Sequence, residues 1–335
     1  MHVTGIGINA DGRRGRFHLD EAHEDLAFFQ RCGFDAVELP VHQLDLIVGG
    51  RLRREDVDKV RATLDAFDFA YTVHAPERLN LAFPQKDSSG RPELALEQDV
   101  FLACLDFCAA IGAKAMVYHS GLIALYGARF GLEAIPDDQA LEQAREQEVS
   151  ALRALLPLAA ERGIVIGMEN RDPHPWEVAV LASAGLRPDK LLKYHAGMAI
   201  PELVRQIEAV NHPNLGLTLD YGHLFLAAHQ CGFDYLNAIR QAAPYVRHLH
   251  ASDNCGRLGG VFDGLKDRIP YGDGDLHMPP GWGSIPHKKT LAHLPDYEGL
   301  CILEIRSRFW EHFPDAQQTM RRILIDLAAR QQGTP

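Results

Sequence analysis

The sequence predicts an α/β chain folded as a (β/α)8 barrel, a single domain over residues 1–335, and three observations point there. Eight short apolar runs punctuate the chain. Stretches of helical length separate them. The third to eighth runs each end in a histidine, aspartate or glutamate. A doubly wound open sheet is the competing arrangement, but no glycine-rich phosphate turn follows the first run.

The runs are Val3–Asn9, Ala36–Pro40, Ala70–Ala75, Ala115–His119, Ile164–Glu169, Leu215–Asp220, Val246–His250 and Cys301–Ile305. They are rich in Val, Ile, Leu or aromatics, as strands covered on both faces are. Helices are predicted over Asp20–Cys32, Arg54–Phe67, Glu93–Ile111, Asp138–Arg162, Ile200–Val210, Asp234–Ala243 and Asp315–Ala329. Gly33, Gly112 and Gly163 stand where a left-handed residue ends a helix. Right-handed crossovers then give eight strand–helix units. Two connections exceed a simple turn: Arg171–Ala199 after strand five and Ser252–Lys289 after strand seven. Both leave the C-terminal strand ends, where barrels build active sites.

Length and charge bound the function. The 335 residues are 46% apolar and 24% charged, ordinary values for a soluble enzyme with one large core. Lys and Arg number 34 against 45 Asp and Glu, a net charge of −11 that disfavours nucleic-acid binding by bulk charge. A local metal-lined site for phosphate stays compatible with it. No apolar stretch reaches 18 residues, so no membrane partner is expected. The chain enters the apolar segment Val3–Ile8 without a basic lead, which argues against a secretory signal. Cys32, Cys104, Cys108, Cys231, Cys255 and Cys301 lack CxxC spacing and read as reduced thiols of a cytoplasmic protein.

The chemistry gathers at the strand ends. They supply His74, His119, Glu169, Asp220 with His223, His248 with His250, and Glu304. In a barrel these converge near the axis, where several carboxylates need a cation between them. Imidazole with carboxylate suits zinc, manganese, iron or cobalt. Asp275-Leu276-His277, in the loop after strand seven, adds two more donors. Glu38, ending strand two, is either a substrate contact or a solvated charge.

Together these pieces resemble the xylose isomerase-like TIM barrels, which include endonuclease IV and many sugar isomerases and epimerases. The likeness runs from about Val3 to Leu324. It rests on His74-Ala75-Pro76 with Leu79-Asn80-Leu81-Ala82, Glu169-Asn170, Asp220-x-x-His223, His248-x-His250 and Asp275-x-His277-x3-Gly281-x-Gly283-x-Ile285. The endonuclease IV pattern implies one metal on His74, His119 and Glu169. A second would lie on Glu169, Asp220, His250 and Glu304, and a third on His223, Asp275 and His277. His248 would then be a neighbour one layer deeper. The epimerase pattern implies one divalent metal on Glu169, Asp220, His250 and Glu304, with the two glutamates moving protons and His223 on the substrate. The ketose 3-epimerases carry a Glu six residues after the strand-five ligand and an Arg six after the strand-seven histidine. Pro175 and Gly256 stand there, with Arg257 one residue off as a substitute substrate contact. Relative to endonuclease IV, Glu77-Arg78-Leu79 occupies the place of a DNA-probing loop.

Three functions are consistent with this pattern. The first is an isomerase or epimerase of a sugar, sugar phosphate or related polyol, with one to three divalent ions and Glu169 and Glu304 as acid and base. The second is a phosphoester hydrolase of the endonuclease IV type, the only reading that implies nucleic acid. The third is a non-catalytic barrel that binds metal and ligand. Each leaves room for a homo-oligomer.

Overall fold

The computed structural model describes residues 1–11, 19–131, 133–260 and 265–332. Its barrel strands are β1 (His2–Asn9), β2 (Ala36–Pro40), β3 (Ala70–His74), β4 (Ala115–His119), β5 (Val165–Glu169), β6 (Leu215–Asp220), β7 (Val246–Ala251) and β8 (Glu298–Leu303), and a two-residue antiparallel pair, Ile47–Val48 with Arg51–Leu52, lies outside the barrel. All barrel neighbours pair in parallel, and β8 pairs with β1, so the sheet is a closed barrel and not an open doubly wound one. The principal outer helices are α1 (Leu19–Cys32), α2 (Arg54–Leu64), α3 (Leu94–Ile111), α4 (Asp138–Glu161), α5 (Ile200–Val210), α6 (Tyr235–Ala242), α7 (His287–Ala292) and α8 (Phe313–Gln332).

Local chemistry explains the boundaries. Asp137 and Asp234 cap α4 and α6 by accepting from the amides of Ala140 and Asn237. Gly112 closes α3 at φ 75°, where a side chain would be strained. Around α1 and α8 an aromatic group of Phe28, Phe29, Trp310 and Phe313 packs with ring centroids 4.6–6.4 Å apart. Gln317 of α8 donates to the Gly33 carbonyl at 2.7 Å, tying the last helix to the end of the first.

Side chains two apart along a strand share a face. A glycine at 167 leaves room for Thr218 inside the barrel, since a Cβ there would lie 2.0 Å from Thr218 Oγ1. Thr72 and Glu38 meet across the same interior at 2.9 Å.

The eighth strand differs from the expected Cys301–Ile305. It begins at Glu298 and ends at Leu303, which puts Glu304 just past the strand. The connection after β5 holds two helices, Pro175–Ser183 and Leu191–Tyr194. A further helix, Tyr221–Cys231, starts directly at the end of β6. Part of the expected loop after β7, residues 261–264, lies outside the described residues. All six cysteines are free. Among the described residues no helix is long and apolar enough to cross a membrane.

Candidate metal centre

Strand register brings the predicted donors together. His119 of β4 is the partner of Glu169 on β5, and Asp220 of β6 is the partner of His250 on β7. Neighbouring strands lie about 4.8 Å apart, so such pairs reach one cation from adjacent staves. β3 brings His74, whose Nε2 is 3.3 Å from Glu169 Oε2, and His119 Nε2 is 2.9 Å from the same oxygen. His250 Nδ1 lies 3.0 Å from Glu169 Oε1 and 3.3 Å from Glu304 Oε2. With metal–ligand bonds of about 2.0–2.2 Å, adjacent donors in a coordination shell sit about 3–3.5 Å apart.

The predicted donors fall into three sets, each with its atoms within 4.8 Å of one another: His74, His119 and Glu169; Glu169, Asp220, His250 and Glu304; and His223, Asp275 and His277. All nine residues are buried or half-buried. One oxygen of each of Glu169, Asp220, Asp275 and Glu304 is buried without a hydrogen-bond partner among the described residues. His119 comes close to Glu169 but off the hydrogen-bonding direction. Unsatisfied buried carboxylate oxygens are costly, and a shared cation removes that cost. The residues therefore fit divalent cations.

The backbone orients the imidazoles. Nδ1 of His74 donates to Ala75 O at 2.7 Å, Nδ1 of His223 to Asn170 O at 3.1 Å and Nδ1 of His277 to Glu304 O at 2.9 Å. Those acceptors put the ring proton on Nδ1 and turn a lone pair on Nε2 toward carboxylates. Lone pair facing carboxylate repels unless a proton or cation lies between. His277 takes φ +44°, rare for a residue with a side chain, and is in close contact with Asp275.

The fields agree. Burial works against the His74 imidazolium, but Glu169 outweighs it and lifts the ring to about 9. Against burial, Asp275 and Glu304 lift His277 to about 9. Burial, with Glu304 and Glu169 against the pull of His223, pushes Asp220 up to about 7. Burial opposes ionisation of Glu169 and Glu304, yet the imidazoles beside them hold both well below the usual carboxylate range. Burial and the Arg171 guanidinium push His119 down to about 4.

Other predicted residues fall differently. Glu38 is not a solvated charge: it is 1% exposed, with Oε2 2.9 Å from His248 Nε2 and Oε1 2.9 Å from His250 Nε2. It supports His250 from below, in company with Thr72 and His248. Arg257 stays out on the surface and pairs with Asp273 at 2.9 Å. Of the expected probing loop, Leu79 is buried in the core and Arg78 bonds Gln85.

Sequence reasoning missed two organisers. Asn170 clamps β6, donating to Asp220 O at 2.8 Å and accepting from Asp220 N at 3.0 Å. Asp253 accepts from the amides of Gly281 and Ile285 and faces His287 Nε2 at 3.0 Å, so it folds the loop that carries Asp275 and His277. The signal for both was adjacency to a ligand strand end.

Residues 26–324 match the family described as xylose isomerase-like TIM barrel. An uncharacterized protein of Methanocaldococcus jannaschii is 24% identical over 243 residues, 72% of this chain and 66% of that one, slightly under two thirds of its length. Among solved structures, a D-tagatose 3-epimerase-like protein superposes with a TM-score of 0.66 at 18% identity, covering 98% of this chain and 99% of that one. The IOLI protein with a binding zinc atom gives 0.63 at 17% identity over 98% and 99%. A 3-keto-D-glucoside 4-epimerase from E. coli gives 0.62 at 15% identity over 95% and 98%. At these identities the likenesses show the fold.

Proposed function

The chain belongs to the xylose isomerase-like TIM barrel family, and from that premise we propose that it is a metal-dependent isomerase or epimerase of a sugar, sugar phosphate or related polyol. The observation that carries this reading is the convergence of Glu169, Asp220, His250 and Glu304, each offering a donor atom within 4.8 Å of the others. The names of the sugar epimerases it resembles support the substrate class. Zinc, manganese, iron or cobalt suits the donor set, and the zinc in the IOLI protein is in keeping with that.

Glu169 and Glu304 both reach His250 Nδ1, so they converge on one point from β5 and from the end of β8. Glu169, Asp220, His250 and Glu304 would hold a divalent cation there, and it would supply polarisation of the oxygens beside the reacting carbon. One glutamate takes the proton from that carbon and the other returns it. In this reading His223, with Nε2 3.8 Å from both Asp220 and Asp275, is the substrate contact beside the centre. Six free thiols suit a reducing compartment, which in this reading is the cytoplasm.

The test is deuterium incorporation at carbon when the metal-loaded protein meets a panel of ketoses in D2O. Exchange on at least one substrate is expected, falling about 10²-fold or more in Glu304→Gln and in Glu169→Gln. No exchange on any member counts against the reading.

A second reading is favoured by one observation, the separate group of His223, Asp275 and His277, which a one-metal enolising enzyme does not need. It is a phosphoester hydrolase of the endonuclease IV type. Three metals per chain and cleavage of an abasic-site duplex, lost in His277→Ala, support it; one metal per chain removes it.

A further inference from the structure

We propose that Arg171 forms an oxyanion subsite beside the metal centre, so that the ligand carries a phosphate or carboxylate group away from its reacting carbon. This rests on the isomerase or epimerase reading and narrows its substrate class. Arg171 follows Glu169-Asn170 at the end of β5 and is only 7% exposed. Its amide donates to Gly197 O at 3.0 Å, and its stem runs past Gly197, where an added Cβ would lie 3.5 Å from Arg171 Cδ. The guanidinium makes no hydrogen bond or ion pair with any described residue, and Nε is buried without a partner. Three other half-buried arginines each have a carboxylate: Arg145 has Glu202, Arg162 has Asp106 and Arg306 has Asp275. A buried cation lacking a counter-ion is unfavourable, and the planar fork of Arg suits phosphate or carboxylate.

Its surroundings place Arg171 at the mouth. Arg171 lies two residues past Glu169, and its amide and stem both pack on Gly197, so it stands between the metal centre and the connection after β5. Glu177 is taken already, by the His174 amide at 2.9 Å and by His195 Nδ1 at 2.9 Å. Asp172 pairs with His174 at 3.9 Å. His174, Glu177 and His195 also form a set with donor atoms within 4.8 Å of one another. A fixed guanidinium beside them opposes a divalent cation there and favours an anion instead.

Calorimetric titration of the protein as isolated with inorganic phosphate, D-gluconate and D-fructose tests this. At least tenfold weaker binding of phosphate or of gluconate is expected in Arg171→Gln, with D-fructose unchanged. Loss confined to phosphate identifies a phosphorylated ligand, and loss confined to gluconate a sugar acid. Equal anion binding by wild type and R171Q overturns the subsite, as does an equal loss for D-fructose. Should R171Q not fold, Arg171→Lys decides: at least threefold weaker anion binding supports the forked contact, and wild-type affinity overturns it. These titrations read binding alone. A failed isomerase reading therefore shows as absent deuterium exchange with the anion discrimination intact, and a failed subsite as exchange without it.

Discussion

Glu38 and His277 show how much of the site is decided one side chain at a time. Glu38 lies under the centre with a carboxylate oxygen 2.9 Å from Nε2 of His250, off the hydrogen-bonding direction, leaving Nδ1 to Glu169 and Glu304. Partners of this kind orient a ligand and raise its basicity, and losing one costs about 10–100-fold in metal affinity. Glu38→Gln is expected to weaken metal binding by that factor in a chelator competition, and unchanged affinity would remove Glu38 from the support of His250. His277 carries its imidazole on a strained backbone, held by the Glu304 carbonyl at 2.9 Å. No spacing rule announces such a conformation in the sequence. The gathering of the nine candidate donors was legible, because each follows directly from a strand end or from the Asp275-x-His277 pair. Glu38 was open between two roles, since its partners Thr72 and His248 come from strands far away in the chain.

At the scale of elements, the strands were legible and several connections were not. Apolar runs mark a strand buried on both faces, which is why all eight were found. The shift of β8 to Glu298–Leu303 follows from pairing: His2 aligns with Glu298, and this partner, not hydropathy, starts the strand. The helix Tyr221–Cys231 was missed because its cap is Asp220, read as a ligand alone; the same side chain also accepts from the His223 amide at 2.7 Å. The loop after β7 is held by Asp253 and by the absence of a side chain at position 283. A Cβ there would meet Asn254 O at 2.3 Å and Asp253 Oδ1 at 2.4 Å. Gly283→Ala is therefore expected to destabilise the protein by about 1–3 kcal/mol. In urea the midpoint should fall at constant m, and an unmoved midpoint would show that the loop yields without cost.

For the whole molecule, closing the barrel concentrates charge on its axis, and stability must respond to pH and metal in opposite senses. In metal-free protein Asp220 is raised to about 7 and His74 and His277 to about 9, by burial for the first and by Glu169 and Asp275 against burial for the others. Between pH 6.5 and 8.5 the folded chain thus binds more protons than the unfolded one, so stability falls as pH rises. The groups depressed here, such as His119 at about 4, titrate below that window. Binding of a metal to these donors would displace the same protons and strengthen with pH. Melting temperatures are expected to fall from pH 6.5 to 8.5 after chelation and to rise over that interval with excess zinc. Parallel slopes in the two series would contradict a cation among these donors.

Glu304 serves two neighbours at once. Its carbonyl holds His277 while its carboxylate stands 3.3 Å from His250. A cation that fixed that carboxylate would also fix the peptide unit on which His277 leans, so occupancy of the proposed inner position would prepare the outer one. In the proposed metal centre, loading would then be cooperative, with the first ion taken up lowering the free energy of the next.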